Sequence, residues 1–439
     1  TFSAWVKTMR NSGTNHIFSY HNADNTRWST LQINGSDKLR YYDYNGGTFY
    51  TQLVSTRVLK DPNAWYHIVI RFDTPQSKAA DRVRMYINGE QVTVFDTNTI
   101  PNQNHTSYIN MATNPHTIGH EVTGGYFDGV MSHIHFCDNY SYGADSFGST
   151  DSTTGEWKIK TSPSVTYGSQ GFWLFKNSAS VTDQSGEGND YTLNSGTLTF
   201  THDNPSNNFA TFNSQVFAGG GTTTFSNGNN TGQSPTSQGL AGVSSFGASS
   251  GKFYAEFKQS AESISGEGAI GVVDTHYINS TFGLSSSGYL EYCVGTWGFR
   301  NNSGLLFYSS GGTRYTATGQ HANWSNGDIF MLALDADNGR LYIGKNGQWN
   351  ASNTWSSSTP SQYITLDSTG FEGTYHFAVG DSSSGNHVTW QANFGNGYFG
   401  TTAITTNSGN GYAGAEGKSK FNYEVPSGYS ALSTEGLNQ

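Results

Sequence analysis

A chain of 439 residues is too long for one ordinary domain and predicts two or three. Only 12% of residues are charged, 14% are aromatic and 54 are glycine, which argues against both a disordered and a helical chain. The net charge of −10, with no run of Lys or Arg, argues against nucleic acid as a partner, and no apolar stretch approaches the ~20 residues of a membrane-spanning helix.

Strand signals begin at once, in Thr1-Phe2-Ser3-Ala4-Trp5-Val6-Lys7, so the chain is expected to start inside a fold and to belong to a longer polypeptide. In Tyr66 to Phe72, the residues Tyr66, Ile68, Ile70 and Phe72 alternate with His67, Val69 and Arg71. Val83, Met85 and Ile87 repeat the pattern, and Asn88-Gly89 then supplies a type I′ hairpin before the return strand Gln91 to Phe95. Period two with one polar face predicts antiparallel sheets that cover a core on one side. Residues 140–212 are less periodic and read as a connector with short strands, among them Gly171 to Lys176. From Asn213 strands resume: Lys252 to Phe257, Ala269 to Val273, an apolar and therefore central Asp328 to Asp335, and Leu341 to Lys345 before a second Asn-Gly. Gly395 to Gly417 reads as a glycine-rich wrap. The expected fold is all-β: two antiparallel, lectin-like jelly-roll sandwiches, 1–139 and 213–439, joined by the irregular connector 140–212. Cys137 and Cys293 fall in different domains and are expected to be buried free thiols.

Trp65-Tyr66-His67-Ile68-Val69, Val83 to Gly89, Ile118-Gly119 and Tyr126-Phe127-Asp128-Gly129 resemble the concanavalin A-like, laminin-G-like jelly rolls. Gly251 to Glu256, Ile270 to Asp274, Trp324 to Ile329, Ala333-Leu334-Asp335 and Val388 to Gly395 resemble a divergent SPRY domain, with Leu334-Asp335-Ala336 where Leu-Asp-Leu is usual. The connector segments Gly155 to Lys158, Tyr167 to Leu174, Asp183 to Asp190 and Asn204 to Thr211 resemble large virion-associated proteins of bacteriophages, marine ones especially. That resemblance implies a tail-fibre, appendage or capsid-surface protein on the virion surface, assembled in the host cytoplasm. It also implies other virion proteins as partners, a homo-oligomeric state, and a host-surface glycan or receptor as ligand.

No strand carries the carboxylate pair that glycoside hydrolysis needs; Glu90, Glu121 and Glu156 are scattered among turns, so no catalytic residue and no enzyme activity are expected. The rival to adhesion is a purely structural, cementing role, and a glycan depolymerase is a more distant alternative. No cofactor is expected, although calcium stays open through Asp183, Asn189 and Asp190, or Asp24 with Asn22. His133 and His135 share a strand face without an evident third metal ligand. Sugar recognition needs rings for the apolar face of a pyranose and planar polar groups for its hydroxyls. Arg40, Tyr42 and Tyr44 share one face of a strand opposite Leu39 and Tyr41, with Trp28 opening a neighbouring strand. In the second half, Tyr292, Trp297 and Arg314 fall between predicted core strands, whereas Trp324 and Trp390 are assigned to the core. Trp28, Arg40, Tyr42, Tyr44, Tyr292, Trp297 and Arg314 are the candidate ligand contacts.

Overall fold

The computed structural model describes all residues except 10–12, 112–113, 122–123, 217–221, 237–238, 264–265, 276–277, 279–288, 312, 370, 383–384, 406–410 and 439. Thr1–Phe200 and Thr201–Gln439 are two compact units, and almost all of their regular structure is strand, as the composition implies. Cys137 and Cys293 are both buried, and neither is in a disulfide.

The first unit runs through β1 (Phe2–Thr8), β2 (Asn15–His21), β3 (Arg27–Ile33), β4 (Lys38–Asn45), β5 (Thr48–Val58), β6 (Tyr66–Phe72) and β7 (Val83–Ile87). It continues with β8 (Glu90–Gln91), β9 (Phe95–Thr99), β10 (His116–Ile118), β11 (Gly129–Phe136), β12 (Gly148–Thr150), β13 (Trp157–Ile159) and β14 (Phe172–Leu174). Two six-stranded sheets form, in the orders β14-β11-β1-β6-β7-β8 and β10-β2-β3-β4-β5-β9. Alternation along each strand sends Phe2, Ala4, Val6, Ile68, Ile70 and Met85 of one sheet against Phe18, Leu31, Ile33, Leu39, Tyr41 and Leu53 of the other. Asn88 and Gly89 both take positive φ, 50° and 80°, as the type I′ turn requires.

The connector adds to this unit in two ways. Its β14 pairs with β11 at the edge of the first sheet. The segment around it lays Ala144, Phe147, Tyr167 and Trp173 against Val69 and Cys137, on the side of that sheet away from the main core. Trp157 lies in a slot that exists because residues 89 and 148 are glycine; a Cβ at either would collide with its ring. Its indole N–H donates to Nδ1 of the fully buried His67 at 3.0 Å, which leaves the proton on Nε2, 2.8 Å from Ser3 Oγ. His135 lies under the same cover, 2.9 Å from the Tyr167 hydroxyl, and His133 meets Ser132 Oγ at 2.7 Å.

The second unit pairs an extended sheet with a six-stranded one. The first runs Thr224–Ser226, Thr231–Gln233, Val388–Asn393, Lys252–Glu262, Ile329–Asp335, Arg340–Lys345, Gln348–Ala351, Thr354–Ser357. The second runs Leu240–Val243, Tyr375–Asp381, Gly268–Asp274, Thr296–Arg300, Leu305–Ser310, Thr313–Ala317. Trp297, Trp324, Trp390, Phe330, Leu332 and Phe377 fill the space between them. Ile329–Asp335 is apolar on both faces because Met331 and Ala333 pack beneath Phe421, Tyr429 and Ala431 of the C-terminal wrap. Buried Glu256 fastens that wrap, accepting the Asn422 and Tyr423 N–H groups at 2.8 Å and the Tyr254 hydroxyl at 3.0 Å. Burial pushes its carboxyl up to about 7 against those donors.

Burial holds the His67 ring far below its ordinary pKa, down to about 3. The unfolded chain therefore binds a proton that the folded one refuses, so stability is lost as pH falls from ~6.5 toward the folded value. His67 alone should remove about 2–3 kcal/mol between pH 7 and pH 4.5. Denaturant midpoints at the two pH values should fall steeply in the wild type and less so in His67→Phe; equal slopes would refute this account.

Candidate ligand-binding face

The sheet β10-β2-β3-β4-β5-β9 turns Leu31, Leu39, Tyr41 and Leu53 inward, so the intervening residues form its other face. Strand register arranges them in three rows across the strands. The middle row is Thr117, Ser19, Thr30, Tyr42, Gln52 and Thr99. On one side of it lie His21, Trp28, Tyr44 and Phe49. On the other lie His16, Gln32, Arg40, Val54 and Thr97. A hydroxyl and amide row is thus flanked by a ring row and by a row holding one guanidinium.

The rings touch in sequence. Trp28 stacks on Tyr44 at 5.1 Å and 22° between planes, and Tyr44 meets Phe49 at 5.0 Å. Phe49 receives Tyr42 edge-on at 5.7 Å. The Arg40 guanidinium lies 4.5 Å from the Tyr42 ring centre and 5.7 Å from that of Phe49. Strands stand about 4.8 Å apart, so Trp28, Tyr44 and Phe49 on three successive strands make a platform of roughly 10 Å. Phe49 is 37% exposed, Trp28 and Tyr44 are partly exposed, and Tyr42 at 9% is nearly covered. Burial raises the Tyr42 phenol above its ordinary pKa, which keeps it a neutral donor. Ser19 Oγ, Trp28 Nε1 and Arg40 Nε are buried on this face and make no hydrogen bond to any described residue.

Trp28, Arg40, Tyr42 and Tyr44 therefore come together as their alternation implies. Phe49 completes the group, and its signal lies in Asn45-Gly46-Gly47, a hairpin turn that brings residue 49 opposite residue 44. The other three candidates do not form one site. Arg314 lies 4.8 Å from the ring centre of Tyr292, which is 46% exposed, and its Nε donates to the Glu291 carbonyl. Trp297 is fully buried in the second core, its N–H donating to the Ser309 carbonyl at 2.9 Å, so it offers no face to a ligand. Thr296–Arg300 is itself a strand, with Trp297 and Phe299 turned inward.

Asp183 engages both oxygens with donors of its own neighbourhood: Trp173 N at 2.8 Å, Ser185 N at 2.8 Å, Ser185 Oγ at 2.7 Å and Asn189 N at 3.0 Å. Those bonds hold the loop, and they pull the Asp183 carboxyl below its ordinary pKa although its burial works the other way. Asn22 caps its own turn, accepting from Thr26 N and Arg27 N at 2.9 Å. No group of three or more His, Cys, Asp or Glu side chains arranged to hold a metal occurs among the described residues.

Behind the ring row, on the core side, sits Asp43. It is fully buried and accepts hydrogen bonds from Ser29, from the Tyr41 hydroxyl at 2.7 Å, from Ser107 Oγ at 2.8 Å and from Thr51 Oγ1 at 3.2 Å. His105 Nε2 stands 3.5 Å from its other oxygen. β3, β4, β5 and the segment after β9 meet on this one carboxylate, between the two residues that present Tyr42 and Tyr44. Asp43→Ala leaves several buried hydroxyls without their acceptor and should cost about 2–4 kcal/mol. Unfolding of the isolated wild type and variant checks this, and a change within 0.5 kcal/mol would remove Asp43 from its role.

Residues 1–141 match the family described as the concanavalin A-like lectin/glucanases superfamily. No curated protein matches the chain. Among solved structures it is similar to the SPRY domain of human HERC1, at 19% identity over 37% of this chain and 81% of that one, with a TM-score of 0.26. It is also similar to domains LG4-5 of the mouse laminin alpha1 chain, at 11% identity over 92% of this chain and 87% of that one, with a TM-score of 0.24. The TRIM65 PSpry domain is similar at 14% identity over 42% of this chain and 91% of that one, with a TM-score of 0.26. Those structural likenesses are faint; the family match, over residues 1–141, agrees with the two antiparallel sheets packed face to face that the first unit forms.

Proposed function

We propose that this protein is a non-enzymatic adhesion protein of a virus particle, and that the outer face of β10-β2-β3-β4-β5-β9 grips carbohydrate. The observation that carries the reading is the contiguous row Trp28, Tyr44 and Phe49 beside a row of hydroxyls and an amide. Pyranose rings bury their C–H faces on aromatic side chains, while Gln52 and Thr99, the accessible members of the middle row on β5 and β9, supply donors and acceptors for the hydroxyls. None of the three rows contains Asp or Glu, so a sugar on this face meets no acid and base flanking its glycosidic bond. Binding without cleavage is the chemistry such a surface supports.

The resemblance of the connector to bacteriophage virion proteins supports a position on the particle surface, with neighbouring virion subunits, self-association and a host-surface glycan as the contacts. In the second unit the exposed Tyr292 with Arg314 is the patch we assign to a partner.

Tyr44→Ala with Phe49→Ala should weaken glycan binding at least tenfold, since loss of two stacked rings removes about 1.5–3 kcal/mol of contact. Thermal unfolding should shift by only a few degrees, because cross-strand ring pairs are worth about 0.2–1 kcal/mol each. Glycan-array binding with parallel melting curves measures both. Undiminished binding in the double variant, or release of reducing ends by the wild type, would defeat the reading.

A further inference from the structure

We infer that the carbohydrate taken by this face is anionic, a polysaccharide whose carboxylate or sulfate group is received by Arg40 while the ring row carries neighbouring sugar units. The inference rests on the carbohydrate reading and adds the charge of the ligand.

Arg40 is the only Arg, Lys, Asp or Glu in the three rows. Several cations elsewhere in the unit pair with acids: Lys38 with Asp96, Arg57 with Glu90 at 3.0 Å, Arg71 with Asp73 at 2.7 Å and Arg84 with Asp81 at 2.6 Å. Arg40 makes no ion pair with any described residue. It is held by rings instead, over Tyr42 and beside Phe49, with Nε buried and unbonded. A guanidinium held against aromatic rings has lost part of its rotamer freedom before a ligand arrives, and its planar fork matches carboxylate and sulfate geometry.

The placement fits a sugar chain. Phe49 belongs to the ring row and also touches Arg40, so a unit stacked on it brings an acidic substituent within reach of the fork. On the β5 side Arg40 is flanked by Phe49 and Val54. The net charge of −10 repels a polyanion at long range, but at about 0.15 M ionic strength charges beyond ~8 Å are screened whereas a contact pair is not. Attraction is therefore local, and a single substitution can test it.

The test compares three soluble polymers with the full chain at about 0.15 M salt: a neutral glucan, a polyuronate and a sulfated glucan. We expect at least one of the anionic polymers to bind tenfold or more tightly than the neutral one, with the preference shrinking as salt rises. The polyuronate and sulfate arms identify which anion is taken. Arg40→Gln should erase the preference, Arg40→Lys should keep part of it, and Arg27→Gln, which removes a cation beside Tyr108 off the three rows, should leave it intact. Melting curves identify any variant that fails to fold, and Arg40→Lys then carries the comparison. Equal affinity for the neutral polymer, a preference that survives Arg40→Gln, or its loss in Arg27→Gln overturns the inference. If the neutral glucan binds and Tyr44→Ala with Phe49→Ala abolishes it, the carbohydrate reading stands and only the anionic one falls. If no polymer binds, both fall.

Discussion

A buried carboxylate that lacks donors costs several kcal/mol, so a fold that encloses one must bring its partners to it. Asp43 is such a group, and its donors lie on β3, β4, β5 and the segment after β9. Register is what this constraint fixes. Sliding β4 by one residue would turn Asp43 out to solvent, bring Tyr42 and Tyr44 into the core, and strand four hydroxyls without their acceptor. The same bonds that satisfy Asp43 therefore hold its two sequence neighbours on the opposite face, where the ring row stands. Function on this face and stability beneath it share one strand and alternate along it.

A sandwich has two outer faces, and the first unit treats them differently. Around β1, β6 and β11 the face is closed by Phe147, Trp157, Tyr167 and Trp173, with His67 and His135 neutral beneath them. A layer of that kind stabilises the unit but leaves no room for a ligand. The face around β3 and β4 keeps Phe49 exposed and Trp28 and Tyr44 partly so. In the second unit the long sheet is closed by the C-terminal wrap, held through Glu256. Segments with weak strand periodicity are the ones that do the covering, since a chain lying over a sheet has no alternation to obey.

Local pattern made much of this legible. Leu39 and Tyr41 against Arg40, Tyr42 and Tyr44 is period two, and the core residue Trp390 sits in a strand whose alternation points inward, while Trp324 is buried from the loop before Ile329–Asp335. Partners distant in sequence were not legible. Nothing near Asp43 announces Ser107, 64 residues away, and nothing near Trp157 announces the glycine slot at residue 89. Trp297 reads as a surface ring when its segment is taken for a loop; Trp297 and Phe299 alternating about Gly298 are the sign of an inward strand face. Phe49 escaped attention because the turn at Gly46-Gly47 had to be closed before residues 44 and 49 became neighbours.

The chemistry of the open face follows from what it omits as well as what it holds. Hydrolysis on a sheet face needs two acids on the same face, close enough to flank a single glycosidic bond. The outward positions of β4 carry Arg40, Tyr42 and Tyr44, while its acid, Asp43, is turned inward and committed to hydroxyl donors. A carboxylate saturated with hydrogen bonds on the core side cannot exchange protons with a sugar on the outer side. The strand thus separates its rings from its acid, and what it turns outward is Tyr42, Tyr44 and one guanidinium. On the carbohydrate reading proposed above, selectivity is set by the sugar faces that meet Trp28, Tyr44 and Phe49 and by the charge brought to Arg40.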